Sequence, residues 1–187
     1  IYTGQMKLTN RITTTIKNVN FDGADKTVDE IYVLDSKGNK LSMNNIYAIE
    51  TRGASYVTIE NCTAKKYFGF VQLASATDKT TVKNVTVTEM GYGVKVDYSN
   101  AVVLEKVDIT AGVAAVLNSN YGEKTITIKN SKLSILGTWV RNNTIKTNYV
   151  FEGNNSIDSF IIDAAIDNFK LAAGATLTAP NEIAVTT

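Results

Sequence analysis

The sequence predicts an all-β fold, a parallel β-solenoid of about seven to eight coils with a period of about 22 residues. Two observations lead to this prediction. One is a repeated segment in which aliphatic and polar residues alternate before a charged residue and an asparagine, as in VTIENCTA at 57–64. The other is the repeat length, which accommodates two or three short strands but not a crossover helix. Strands of successive units are therefore expected to stack directly, about 4.8 Å apart.

Five segments carry the repeated pattern, and their first residues are 14, 57, 80, 102 and 126. The first step is about twice as long as the others, which suggests a degenerate coil around residues 31–49. Within that stretch, Gly38 and Asn39 lie between alternating apolar residues, so LDSKGNKL at 34–41 is expected to form a hairpin or a protruding turn. The repeats read TTIKNVNF, VTIENCTA, TTVKNVTV, VVLEKVDI and ITIKNSKL.

Stacked repeats predict which side chains form the core. The aliphatic position before the asparagine should build one inner column, and the two alternate positions after it should build two more. Cys62 falls in one of these columns, so it is expected to be a buried, unreactive thiol. The three columns are Ile16, Ile59, Val82, Leu104 and Ile128; Val19, Cys62, Val85, Val107 and Ser131; and Phe21, Ala64, Val87, Ile109 and Leu133.

The repeated asparagine is interpreted as a structural ladder. A sharp bend between two strands needs a residue that tolerates left-handed backbone angles, and asparagine is the best choice after glycine. Stacked asparagine side chains can also hydrogen-bond to one another along the solenoid. The ladder consists of Asn18, Asn61, Asn84 and Asn130, with Lys106 in the fourth repeat.

The residue before the asparagine alternates in sign from one repeat to the next. Adjacent coils would place opposite charges about 5 Å apart, which favours the in-register pairing of neighbouring coils. We therefore interpret this row as a device that fixes the register. It comprises Lys17, Glu60, Lys83, Glu105 and Lys129.

Composition excludes several mechanisms. The chain has 187 residues, 19 basic and 18 acidic side chains, a net charge of +1, one cysteine and no histidine. Without histidine there is no Ser-His-Asp triad and no histidine-ligated zinc. The balanced charge gives no field that would gather phosphates, so nucleic acid is not an expected partner. The longest apolar runs are too short to span a bilayer, and the abrupt start at Ile1 suggests a piece of a longer protein.

The units VTIENC, TTVKNVTV and ITIKNS resemble the coils of right-handed parallel β-helix proteins of the pectate-lyase-like superfamily, over about residues 10–178. The resemblance implies a single-stranded right-handed β-helix domain over residues 1–187, with capping or irregular end coils at 1–10 and 156–187. It also implies a secreted or cell-surface protein of bacteria. The superfamily includes polysaccharide lyases, glycosidases, phage tailspikes and adhesins.

A candidate ligand-binding groove follows from the third strand region of the coils, where YFGFVQLAS, GYGVKVDYS and AGVAAVLNSN align. Gln72, Lys95 and Val116 are expected to share one outer row. Amides, carboxylates and aromatic faces could bind sugar rings, although rings that only shield strand ends are the more ordinary interpretation. The candidate residues are Gln72, Tyr92, Lys95, Asp97, Tyr98, Asn118, Tyr121 and Trp139.

No catalytic residues are assigned. Lyases of the superfamily use a strand-borne base with an aspartate row, and the three arginines of this chain, Arg11, Arg52 and Arg141, do not match that pattern. The only carboxylate on the candidate groove row is Asp97, so a carboxylate pair is not apparent.

The loop DGADKTVDE at 22–30 is the one acidic cluster, and two interpretations stand for it: a solvated turn, which we favour, or a structural calcium site. Its acidic residues are Asp22, Asp25, Asp29 and Glu30.

Three functions compete at this point. A non-catalytic surface module, such as an adhesin or a carbohydrate-binding rod, is favoured. A polysaccharide lyase or glycoside hydrolase is the alternative, and a passive spacer is the third. A polysaccharide or a glycan of a cell surface is the expected partner in the first two cases.

Overall fold

The protein is a parallel β-solenoid of about five turns with a period of about 23 residues, and its described part contains no α-helix. A computed structural model describes residues 1–9, 11, 13–23, 31–34, 40–43, 46–54, 56–75, 78–118, 122–138, 145–162 and 166–180. The all-β parallel fold class predicted from the sequence is confirmed. The number of turns is lower than the predicted seven to eight, and the first repeat step holds no additional coil.

The strands follow one another without helices between them. Their bounds are β1 Met6–Leu8, β2 Thr13–Lys17, β3 Asn20–Asp22, β4 Ile31–Leu34, β5 Lys40–Met43, β6 Tyr47–Arg52, β7 Tyr56–Lys65, β8 Gly69–Ser75, β9 Lys79–Val96, β10 Ala101–Asn118, β11 Gly122–Lys129, β12 Lys132–Thr138, β13 Ile145–Glu152, β14 Asn154–Ile162, β15 Ile166–Leu171 and β16 Thr176–Thr178. The long strands β9 and β10 each bend around a whole turn of the solenoid.

Three faces surround the core. The first face stacks β2, the start of β7, the starts of β9 and β10, then β11, β13 and β15. The second face begins after the corner that follows each repeated charged residue, and it includes β3, β12, β14 and β16. The third face contains β1, β6, β8 and the ends of β9, β10, β12 and β14.

The predicted aliphatic column forms as expected on the first face. Ile16 pairs with Ile59, Ile59 with Val82, Val82 with Leu104, and Leu104 with Ile128. All five side chains are buried. Cys62 is also buried, and burial raises the pKa of its thiol, so it is a core residue rather than a nucleophile.

The asparagine ladder occupies the corner between the first and second faces. Its backbone is left-handed at every repeat, with φ of 57° at Asn18, 55° at Asn61, 51° at Asn84, 52° at Lys106 and 49° at Asn130. Asn84 Nδ2 donates a hydrogen bond of 3.1 Å to Asn61 Oδ1. All five positions therefore have the left-handed backbone that the bend requires.

The alternating charges stack in register as predicted. Ion pairs join Lys17 to Glu60 at 3.5 Å and Lys83 to Glu105 at 4.0 Å. Lys129 continues the row, because its ammonium lies 3.5 Å from a carboxylate oxygen of Glu152. The row thus has one more member than the sequence pattern indicated.

The degenerate coil expected around residues 31–49 is not a coil. β2 pairs directly with β7, so no rung lies between them. Instead β4 and β5 form an antiparallel hairpin, which lies beside β9 and β10. The prediction of a hairpin at 34–41 agrees with the antiparallel pairing of β4 and β5. The following strand, β6, belongs to the third face of the stack.

The region at 156–169, interpreted as irregular, forms β14 and β15 of the stack. Residues 149–157 form a further rung that the repeated sequence pattern did not reveal. Tyr149 and Phe151 replace the aliphatic residues of the inner column, and Gly153 replaces asparagine at the corner. Gly153 has a φ of 66°, and a Cβ there would lie 2.1 Å from Asn130 Oδ1. Only glycine fits this close approach.

Candidate binding site on the third face

The outer row of the third face consists of side chains that alternate with the core. Glu50 pairs with Gln72, and Gln72 pairs with Lys95, as the sequence predicted for the last two. Leu117, rather than Val116, is the next member. Val116 pairs with Val94 in the fully buried column, since a shift of one residue along a strand moves a side chain to the opposite face.

Asp97 joins two members of this row. Gln72 Nε2 donates a hydrogen bond of 3.0 Å to Asp97 Oδ2, and Lys95 Nζ lies 3.6 Å from the same oxygen. Asp97 is only 7% exposed, whereas the next residue, Tyr98, is 44% exposed. We call Gln72, Lys95, Asp97 and Tyr98 the third-face patch. It combines three mutually fixed polar groups with an accessible aromatic ring.

One residue, Glu50, extends the patch and was missed in the sequence analysis. Glu50 is 7% exposed, and its Oε1 accepts a hydrogen bond of 2.7 Å from Arg52 Nε. The same period could have found Glu50, because YAIET at 47–51 aligns with GFVQL at 69–73. It lies on the row two rungs from Lys95.

Other predicted aromatic residues have a packing role. The Tyr92 ring is half-buried and meets Phe68 edge to face at a centroid distance of 5.2 Å. Tyr47 completes this aromatic cluster, stacking on Tyr92 at 6.5 Å. Its ring occupies the space beside Gly69, where a Cβ would meet Tyr47 Cε1 at 2.1 Å. Tyr121 and Trp139 lie outside the described residues.

Asn118 does not belong to the outer surface. It is fully buried on the inner side of β10, where its amide donates to the hydroxyl of Thr147. Lys124, which is 2% exposed, donates hydrogen bonds of 3.1 Å to Asn118 Oδ1 and 2.6 Å to the backbone carbonyl of Asp97. Burial lowers the pKa of Lys124 to about 8, and the nearby Asp97 charge partly opposes this shift.

The calcium prediction is outside what the structure describes, except at one residue. Asp22 lies at the end of β3, and its carboxylate is 3.2 Å from Lys65 Nζ. Asp25, Asp29 and Glu30 are among the residues without a description. Within the described ranges, no three acidic or cysteine side chains are placed to share a metal ion.

Comparison with known proteins gives no relative: no family, curated protein or solved structure matches the chain. The described residues also include no helix long and apolar enough to cross a membrane.

Proposed function

We propose that this chain is a non-catalytic, extracellular or cell-surface β-solenoid module that binds carbohydrate through the third-face patch. The observation that carries the proposal is the fixed cluster of Gln72, Lys95 and Asp97, which the exposed Tyr98 follows directly in the chain. A sugar ring can lie on an aromatic face while its hydroxyl groups exchange hydrogen bonds with adjacent amide and charged groups. Side chains held on rigid strands lose little conformational entropy when they bind.

The carboxylates of this row support binding rather than hydrolysis. Asp97 is engaged by Gln72 and Lys95, and Glu50 is engaged by Arg52. Glycoside hydrolysis usually requires one carboxyl group that donates a proton to the leaving oxygen and a second that faces it. Carboxylates already occupied by cationic side chains are suited to orienting a ligand.

A panel of neutral and acidic hexasaccharides, including cellohexaose, chitohexaose and xylohexaose, tests the proposal by isothermal titration calorimetry and product analysis. We expect saturable binding to at least one ligand and no cleavage. Tyr98→Ala should weaken binding about fivefold, since an aromatic contact contributes about 1 kcal/mol. Tyr56→Ala is the matched control, because Tyr56 is 52% exposed on the first face.

Three results would contradict the proposal. Reducing or unsaturated ends would indicate an enzyme of the lyase or hydrolase type. No binding to any ligand would favour a passive spacer. Equal loss in the Tyr98 and Tyr56 variants would remove the third-face patch as the site.

A further inference from the structure

A shallow cleft lies at the asparagine corner of the last turns, on a different side of the solenoid from the third-face patch. Its volume is about 480 Å³. The described side chains that line it are amides, hydroxyls and lysines, with one valine and no carboxylate. They include Lys106, Lys132, Asn154, Asn155, Ser156 and Thr178.

Two departures from the repeat coincide at this cleft. Lys106 occupies a left-handed corner that three earlier repeats give to asparagine, although lysine tolerates that backbone less well. The corner around Gly153 also carries one extra residue, because Lys129 pairs with Glu152 while Lys132 pairs with Ser156. Extra residues at strand bends often re-aim side chains at functional sites.

The cleft carries two lysines outside the ion pairs of the described residues. Lys106 and Lys132 are both exposed, and neither forms an ion pair with a described carboxylate. Asp108 is the register neighbour of Lys132, yet the two side chains are not paired. Lysines of the alternating row, such as Lys83 and Lys129, are instead neutralised by glutamates.

The floor and wall of the cleft are preorganised. Asn155 is 5% exposed, and its Oδ1 accepts a hydrogen bond of 2.9 Å from the Ser131 amide. Thr176 Oγ1 donates to Asn154 Oδ1 at 2.9 Å, which fixes the wall along the solenoid axis. Polar groups therefore recur along this wall at the spacing between rungs, about 4.8 Å, close to the length of one pyranose unit.

We propose that this cleft is a second binding site, which takes an anionic oligosaccharide along the solenoid axis. Lys106 and Lys132 bind the sulfate or carboxylate groups of the chain. Asn154, Ser156 and Thr178 hydrogen-bond to its hydroxyl groups. This site does not depend on the third-face patch, and it goes beyond the proposed function by assigning a charge class to the ligand.

Three hexasaccharides that share N-acetylhexosamine test the site: chondroitin sulfate, hyaluronan and neutral chitohexaose. We expect the first two to bind saturably and to shift the backbone amide NMR signals of Asn154–Ser156 and Thr176–Thr178. Chondroitin sulfate alone would identify sulfate as the recognised group, and binding of both would identify anionic charge in general. Chitohexaose should leave these signals unchanged at the same concentration.

Each variant introduces a residue that other repeats carry at the same position, so that folding is preserved. Lys106→Asn restores the ladder residue, and Lys132→Thr introduces the residue found at Thr63 and Thr86 of the same row. Each should weaken anionic binding about fivefold, because a charge-assisted hydrogen bond is lost. Lys79→Thr is the control, because it removes the same charge from the first face. Threonine is tolerated in that row, since Thr125 occupies it two rungs later. This variant should leave the affinity for the anionic chains unchanged.

The proposal is overturned if chitohexaose binds the cleft as well as the anionic chains do, or if neither anionic chain binds. It is also overturned if Lys79→Thr weakens binding as much as the cleft variants, since nonspecific charge attraction would then suffice. Shifts confined to Gln72, Lys95 and Asp97 would support the third-face patch while rejecting the cleft.

Discussion

At the scale of single residues, Lys124 is the side chain least expected from the repeat. Its side chain points into the core, and its register neighbour on the next rung is Thr147. Its ammonium group is held by the carbonyl oxygens of Asp97 and Asn118, so hydrogen bonds offset part of the cost of removing the charge from water. The remaining cost appears as a lowered pKa, about 8.

This pKa predicts that the free energy of unfolding increases between pH 7 and pH 9. The unfolded lysine, with its ordinary pKa of 10.5, binds more protons in this range than the folded one, so stability rises with pH. The expected gain is about 1 kcal/mol, measured by urea unfolding at the two pH values. Cys62 opposes part of this gain near pH 9, because the pKa of its buried thiol is raised. The buried tyrosines Tyr67 and Tyr149 also have raised pKa values, and they act in the same opposing direction only above about pH 10.

Lys124→Met provides the control for this measurement, because methionine does not titrate. The variant should lack the gain between pH 7 and pH 9, whatever its absolute stability. An equal gain in the variant would show that another group is responsible and that Lys124 has an ordinary pKa in the folded protein.

At the scale of strands and corners, the row of alternating charges fixes which rung pairs with which. Each member has opposite charges on its neighbours, so a slip of one whole coil would bring like charges together. Exposed pairs of this kind contribute little individually. Their effect is on register, which inner columns of similar aliphatic residues would specify less well.

Glu105→Lys tests this role. It would place lysines at positions 83, 105 and 129, which lie on three consecutive rungs. We expect a loss of about 1–2 kcal/mol in the free energy of unfolding, since the ion pair with Lys83 is lost and the new lysine is repelled by Lys83 and by its register neighbour Lys129. Glu105→Gln should lose about half as much. Added salt should reduce the loss because these side chains are partly exposed, and an unchanged stability at low salt would contradict the role.

The repeat made the inner columns, the left-handed corners and the charge row predictable from sequence. These features depend on residue type at a fixed spacing, as with Ile59, Asn61 and Glu60. The rung at 149–157 was not predictable in this way, because glycine can replace asparagine at the corner and aromatic residues can fill the column. The outward-facing residues of the third face were harder to predict from the sequence, because register shifts near Ala111 change which residues face outward.

The candidate site was predictable only in part for the same reason. Gln72 and Lys95 share one row as their spacing predicted, whereas Asn118, a candidate binding residue, is buried on the inner side of β10. Lys124 gave no signal, because it stands where a new coil begins and no earlier repeat has a lysine facing inward at that point. Tertiary packing, not local pattern, determines the direction of such side chains.

At the scale of the whole molecule, the solenoid contains parallel pairing throughout its main sheet, and the hairpin of β4 and β5 is the antiparallel exception among the described strands. Each turn contacts mainly the turns beside it, so the stack behaves as a nearly one-dimensional array. The two proposed sites use this geometry in the same way, because each aligns polar side chains from successive turns.

The most direct test of this account is a methyl NOESY spectrum of the isotope-labelled protein, assigned for isoleucine, leucine and valine. The fold predicts NOE contacts between the methyl groups of Ile59 and Val82, Val82 and Leu104, and Leu104 and Ile128, which are successive rungs of one buried column. If these contacts are absent while the same methyl groups give NOEs to other partners, the stacked register and both binding sites built on it are wrong.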